Sequence, residues 1–149
     1  MATAPTRPDD DLPRGMNVES FLAVRAGNLP CHVMPDGVAV HVSDRKWYQP
    51  DALVYYGPLA SDQAIKIDDP IIIVEVLSPS TGHIDERAKL IGYFSLPSVQ
   101  HYLIVNPEGL PLAHHQHQSN DTALTPIVGG GHLRLDPPGI EIDVTELFN

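Results

Sequence analysis

The chain has 149 residues, of which 19 are acidic and 9 are basic, giving a formal net charge of −10. This length fits one domain, and an apolar share of 42% is enough to bury a core. No apolar run is long enough to span a bilayer, and no export signal is visible, so a cytoplasmic protein without membrane contact is expected. The acidic balance opposes tight, metal-free binding to phosphate backbones, but a divalent metal could supply the missing positive charge.

The N-terminal residues are set apart by composition. Residues 1–15 are rich in Pro and Asp and have too little apolar surface to offset the entropy of ordering, which predicts a disordered arm. Residues 16–149 are expected to form the folded domain. Cys31 is the single cysteine, so an internal disulfide and a Cys-rich zinc site are excluded, and a small buried apolar role is favoured.

In the first half of the domain, the sequence pattern predicts a helix followed by three strands. The helix, over residues 17–27, would place Leu22 and Ala26 on one face. The last of the strands is apolar on both faces, as expected of a central strand that is covered on both sides. The strands are predicted at residues 37–43, 51–56 and 71–77.

The second half predicts a helix over residues 84–95, with Ile84, Ala88 and Ile91 as its apolar stripe. A strand at 101–106, an antiparallel return and two or three short strands follow. The strand–helix–strand unit implies a parallel pair. The fold class is therefore α/β (α+β), with a mixed central sheet flanked by helices.

Glu75 interrupts this apolar central strand, where it would share a face with Ile71, Ile73 and Leu77. A buried lone carboxylate costs several kcal/mol unless it is paired or binds a metal. The alternative is an acid at a strand end that reaches solvent. Asp51 follows Pro50 at the head of the preceding strand, where an ordinary turn carboxylate is the alternative.

Two carboxylates that converge at one end of a sheet suit a hard cation such as Mg²⁺. Lys89 lies four residues after Asp85 and four before Tyr93, on one helical face. It either forms a solvated pair with Asp85 or leans over the strand end to assist a nucleophile. Tyr93 is expected to be a packing residue with a hydroxyl in water.

Three histidines, His114, His115 and His117, lie on the return strand. A cluster of this kind could bind Zn²⁺ or Ni²⁺. Alternation places His115 and His117 on one face and His114 on the other, which favours an exposed hairpin strand.

Two segments resemble a known family. The segments QPDALVYYG and DDPIIIVEVLSPSTGHIDERAKLIGYFSLPSVQHYLIVNPEG are similar to the Uma-type family of endonucleases, within the PD-(D/E)XK superfamily. The resemblance covers roughly residues 27–149. It implies a restriction-endonuclease-like core and a Mg²⁺-dependent (or Mn²⁺-dependent) endonuclease that hydrolyses DNA phosphodiester bonds.

Carried over by position, Asp51 matches the acid of the PD element and Glu75 matches the acid of the (D/E)XK element. The usual lysine two residues later is replaced by Leu77, and Lys89 on the helix matches a migrated lysine. The implied metal ligands are Asp51, Glu75 and the carbonyl of Val76, and Lys89 would assist the nucleophile.

The chain departs from the family pattern at the N-terminus, where members usually begin with an acid-bearing helix and strand. Glu19 is a weak substitute for that acid, and the chain is interpreted as N-terminally shortened. An uncovered sheet edge then predicts a homodimer, with residues 17–27 or 37–43 in the contact. The rival functions are a degenerate, non-catalytic member that acts as a binding or interaction protein, and a His-rich metal-binding module.

Overall fold

The fold is described from a computed structural model of the chain, which covers residues 18–35, 37–61, 63–77, 86–109, 111–118, 123–124 and 126–148. The arm predicted at residues 1–15 lies outside these described residues. No helix within them is long and apolar enough to cross a membrane.

The described residues form two α-helices, eleven strands and a terminal 3₁₀ helix. In chain order they are α1 (Val18–Ala26), β1 (Cys31–Pro35), β2 (Val40–His41), β3 (Trp47–Tyr48), β4 (Ala52–Tyr56), β5 (Pro70–Val76), α2 (Glu86–Phe94), β6 (His101–Val105), β7 (Leu112–His117), β8 (Ala123–Leu124), β9 (Ile127–Val128), β10 (His132–Leu135), β11 (Ile140–Asp143) and the 3₁₀ helix Val144–Phe148.

The main sheet has the order β1-β4-β5-β6-β7-β8, and β9 also pairs with β7. Strands β5 and β6 are parallel, whereas β1–β4, β4–β5 and β6–β7 are antiparallel. The sheet is therefore mixed, as predicted, and the strand–α2–strand unit does form a parallel pair.

Each face of the sheet carries its own apolar layer. One layer includes Leu22 and Ala26 of α1, at 1% and 6% exposure, and side chains of the β10–β11 hairpin. The other layer packs α2 and the β2–β3 hairpin against the sheet, with Val40 and Tyr93 fully buried in it. Strand β5 contributes to both layers, which explains its continuous apolar run.

Three element predictions need correction. Strand β1 was not predicted, because its short sequence CHVMP ends in proline and shows no alternation; pairing with β4 supplies its order. The strand predicted at 37–43 is reduced to β2, which forms a small separate hairpin with β3. The C-terminal region holds four short strands instead of two or three.

The inward face of α2 also differs from the prediction. Ala88 is exposed and Ile91 is 66% exposed, while Ile84 lies outside the described residues. Tyr93 is buried and Leu90 and Phe94 pack beside it. The helix therefore turns a polar and aromatic face to the sheet, because its inner contacts include a buried carboxylate.

Candidate metal and catalytic site

The candidate site lies where β4 begins and β5 ends. Ala52 is paired with Val74 in the antiparallel register, so Asp51 and Glu75 are the next residues on the two strands. Residues that face each other across an antiparallel pair project to the same side of the sheet. Both acids therefore belong to the face that α2 covers.

Asp51 is held by the backbone at both of its ends. Its own N–H donates to the carbonyl of Val74 over 3.0 Å, and its Oδ2 accepts the N–H of Val76 over 2.6 Å. The carboxylate thus takes the place of the next backbone acceptor in the β4–β5 hydrogen-bond ladder, beyond the end of β4. This fixes the side chain beside the end of β5, which is why an acid behind Pro50 is ordered there.

Glu75 is a buried acid, with 7% of its surface exposed. The interpretation as an acid that reaches solvent is wrong. It shares its face with Ile73 and Leu77, as predicted, but Ile71 packs in the opposite layer, because the β4–β5 register shifts between Val54 and Tyr55.

The surroundings of Glu75 raise its pKa above the ordinary value. Burial is the largest cause, the Asp51 carboxylate adds to it by like-charge repulsion, and Lys89 and Tyr93 oppose it through hydrogen bonds. A glutamate that resists ionisation in this way would be stabilised as a carboxylate by a nearby cation.

Lys89 supplies one cation from α2. Its Nζ lies 2.9 Å from Glu75 Oε2 and 5.7 Å from the centre of the Tyr48 ring. The helix therefore places the ammonium next to Glu75, as predicted. The rival Asp85 partner lies outside the described residues.

Tyr93 corrects the prediction of a hydroxyl in water. The side chain is fully buried, and its hydroxyl donates to Glu75 Oε2 over 3.3 Å. Burial, followed by the charge of Glu75, raises the pKa of Tyr93 far above its ordinary value, so the phenol stays protonated as a donor. Its ring packs edge-on against Tyr102 at 5.1 Å and lies 5.4 Å from Tyr48.

The donor set suits a hard cation. Both contacts to Glu75 converge on Oε2, so Oε1 accepts no hydrogen bond from the residues that the structure describes. Carboxylate oxygens of this kind are what Mg²⁺ and Mn²⁺ bind. Three His, Cys, Asp or Glu side chains do not come together anywhere in the described ranges, so a cation here would depend on the two acids, backbone oxygen and water.

Tyr48 was not singled out from the sequence, although it joins the site. It contacts Tyr93 and lies under Lys89, but it belongs to a two-residue strand whose position depends on packing. The only signal was an aromatic residue two positions before Pro50.

The histidines of β7 do not lie on an exposed strand, so the prediction of an exposed hairpin strand is wrong. His114 is 3% exposed and His115 is 9% exposed. The two do face opposite sides, as predicted: His114 Nε2 lies 2.9 Å from His101 Nδ1 in one layer, and the His115 ring lies 5.5 Å from the Tyr102 ring, tilted by 31°, in the other. Burial is the main cause that lowers the pKa of His115 and brings that of His114 to about 4.

Comparisons with known proteins agree with this fold. An uncharacterised protein, slr1290 from Synechocystis sp., is 25% identical over 144 residues, covering 90% of this chain and 76% of that protein. The crystal structure of a putative nuclease of the DUF820 group from Anabaena variabilis superposes with a TM-score of 0.63 at 14% identity, covering 87% of this chain and 76% of that one.

A family model described as "Putative restriction endonuclease" matches residues 15–145. The match begins earlier than residue 27, where the resemblance in the motifs begins. It includes Asp51, the strand that carries Glu75 and the helix that carries Lys89. The chain therefore belongs to the Uma2 family of putative restriction endonucleases.

Proposed function

We propose that the protein is a metal-dependent endonuclease that hydrolyses DNA phosphodiester bonds, with Asp51 and Glu75 as its metal-binding acids. The observation that carries this proposal is the buried Glu75 carboxylate, paired with Lys89 at 2.9 Å and facing Asp51 across the strand pair. Family membership and the nuclease name of the structural neighbour supply the substrate class.

Val76 completes the proposed ligand set through its backbone carbonyl. The N–H of Val76 projects toward Asp51, and a strand residue projects its N–H and C=O to the same side. Two carboxylate oxygens and one carbonyl oxygen would leave room for the several waters that Mg²⁺ retains. A bound Mg²⁺ or Mn²⁺ would polarise a phosphoryl oxygen and make a bound water more acidic.

Lys89 and Tyr93, both on α2, would assist the two metal-binding acids. In the free protein Lys89 neutralises Glu75, and its Nζ lies on the same face as both acids. In a complex with DNA it would orient the attacking water or balance the charge that develops on the phosphate. Tyr93 would act as a positioning residue, because its buried hydroxyl donates to Glu75 and keeps the carboxylate in one orientation.

The test is nicking of supercoiled plasmid with Mg²⁺ or Mn²⁺, compared with the same protein in EDTA. The Asp51→Asn and Glu75→Gln variants are expected to lose cleavage and Mn²⁺ binding, whereas Lys66→Ala should keep both. Lys66 is a suitable control because it pairs with Asp68 at 3.7 Å and its side chain is 57% exposed. Metal-independent nicking, or wild-type activity in Glu75→Gln, would refute the proposal.

The rival is a non-catalytic member that keeps the fold and binds a partner. It is favoured by the saturated Oε2 of Glu75, which a purely structural network would also produce. Binding of DNA without metal-dependent cleavage, by protein whose Mn²⁺ binding is intact, would support this rival. The cytoplasmic location and the homodimer also remain predictions.

A further inference from the structure

The β2–β3 hairpin is a basic and aromatic projection on an acidic chain. Residues 41–48 read HVSDRKWY, and the register pairs Val40 with Tyr48 and His41 with Trp47. The turn region holds one acid, Asp44, and two bases, Arg45 and Lys46, so its formal charge is +1 in a chain whose formal charge is −10. Such a local reversal of charge is where a polyanion would be attracted.

The hairpin is joined to the candidate site by direct contacts. Tyr48 packs against Tyr93 at 5.4 Å between ring centres, and Tyr93 donates to Glu75. Lys46 Nζ lies 5.4 Å from the centre of the same Tyr48 ring, and Lys89 Nζ lies 5.7 Å from it. Lys46 is therefore separated from the proposed metal-binding acids by one aromatic ring and one lysine.

The two basic side chains of the hairpin differ from most others in the described residues. Arg25, Lys66, Lys89 and Arg134 each pair with a carboxylate. Within that same part of the chain, Arg45 and Lys46 pair with none. An unpaired cation beside a phosphodiester site is the group that would contact a flanking phosphate.

Trp47 faces the opposite way from Tyr48, because neighbouring strand residues alternate. It is 53% exposed, although tryptophan is highly buried on average. Its cross-strand neighbour His41 is also exposed. An open indole offers a flat stacking surface, but the faces of bases in a duplex are covered by their neighbours, so only an unpaired base could use it.

We propose that the β2–β3 hairpin holds an unpaired stretch of the nucleic-acid substrate, with Lys46 contacting a phosphate and Trp47 stacking on a base. This rests on the proposed nuclease function and specifies its substrate: a single strand, or a duplex with a frayed or single-stranded flank. The base stacked on Trp47 would lie beyond the metal-binding acids. The hairpin would therefore hold the part of the nucleic-acid strand that extends away from those acids.

Trp47 is the only tryptophan of the chain, so its fluorescence reports on the hairpin alone. The full chain would be titrated with an oligothymidylate and with a blunt duplex of equal length, using Ca²⁺ in place of Mg²⁺ and checking on a gel that the DNA stays intact. Quenching by the single strand, with little change on the duplex, is expected. Equal responses to both, or no response to the single strand, would overturn the proposal.

Variants give the second measurement, by anisotropy of the labelled single strand. Trp47→Ala should weaken binding about 5- to 150-fold, the range typical of losing one stacked base, and Trp47→Phe should restore most of it. Tyr56→Ala is the matched control, since Tyr56 is 48% exposed and lies at the other end of β4. Unchanged affinity in Trp47→Ala would overturn the proposal, even if the sedimentation of the variant differs from that of the wild type.

Lys46→Gln should lower the dependence of log affinity on log salt by about 0.7, as expected for one lost phosphate contact on a single strand. Lys66→Gln should leave that slope unchanged. These are binding measurements, so a protein that passes them but cleaves neither plasmid nor a labelled single strand in Mg²⁺ would refute the nuclease chemistry and leave the hairpin proposal standing. Cleavage by a protein that fails them would do the reverse.

Discussion

In the proposed function, the chemistry depends on Glu75. It is buried at the end of a central strand, it receives both of its donors from one helix, and an acid faces it from the neighbouring strand. Such a cluster combines desolvation, repulsion and pairing, and groups of this kind concentrate at functional sites.

Replacing Lys89 with Ala is expected to reduce plasmid cleavage by roughly 10²–10³-fold, the range for loss of one group that stabilises developing charge. Binding of Mn²⁺, measured by electron paramagnetic resonance, should remain largely intact, because Lys89 acts on the nucleophile or the phosphate. Lys66→Ala serves again as the control. Equal activity in Lys89→Ala would leave only a structural ion pair with Glu75.

Replacing Glu75 with Gln is expected to leave the melting temperature at pH 8 unchanged or higher when metal is absent. The pKa of Glu75 is raised in the folded protein, mainly by burial. The folded state therefore holds this proton more tightly, and stability is lost as pH rises from the ordinary carboxyl pKa through the raised one. The variant has no charge to bury, and Lys89 can reach water because 29% of its side chain is exposed.

Thermal unfolding in EDTA and in excess Mg²⁺ checks this expectation. Added Mg²⁺ should raise the melting temperature of the wild type, because it binds only the folded site, and should have less effect on the Gln variant. A Glu75→Gln protein that melts several degrees below the wild type in EDTA would show that the ion pair is a net source of stability.

At the scale of elements, the β6–β7 pair buries histidines where an exposed strand was expected. His101 and His114 are 1% and 3% exposed, and their facing nitrogens, 2.9 Å apart, can share only one proton. Protonating both rings would place two N–H groups against each other. Burial, aided by repulsion from His101 and His115, lowers the pKa of His114 to about 4.

This pair predicts a loss of stability as pH falls from about 6.5 to 4. The unfolded chain takes up a proton at the ordinary histidine pKa, and the folded state does not until the pH is near 4, so stability rises with pH across this window. For His114 the loss should be up to about 3 kcal/mol. Urea unfolding at several pH values measures it, and His114→Gln should show a shallower dependence. The same slope in that variant would assign the loss to other groups.

At the scale of the whole molecule, the edge of the sheet bears on assembly. Strand β1 is at one end of the strand order and pairs with β4 alone among the described strands. An edge with unpaired N–H and C=O groups is a template for another chain. The segments first expected in a contact are partly used inside the monomer, since Leu22, Ala26, Val38 and Val40 are buried. This moves the proposed contact toward β1.

A homodimer is therefore expected, with at least about 1,000 Å² buried in total if the interface is specific. Sedimentation across micromolar concentrations would measure it, with Mg²⁺ and EDTA compared because metal at the site changes the net charge. A single species of monomer mass throughout would show that the edge stays unpaired in solution. Brisk plasmid cleavage by such a monomer would also separate activity from assembly.

The sequence alone determined the features that depend on local pattern. The apolar run of β5 predicted a central strand, because a strand covered on both faces is apolar on both faces. Glu75 stood out as the acid within that run. The spacing from Asp85 to Lys89 and Tyr93 predicted one helical face, and the family motifs tied Asp51, Glu75 and Lys89 together.

Tertiary structure decided what those patterns could not contain. Which face of α2 turns inward is a balance between apolar burial and the need of Glu75 for donors, so Tyr93 is buried and Ile91 is exposed. The β7 histidines are polar in any local scale, but their partners in β6 come from a different part of the chain. The β2–β3 hairpin reaches the site through Tyr48. The sequence could not show this contact, because two-residue strands carry no periodicity and take their place from packing.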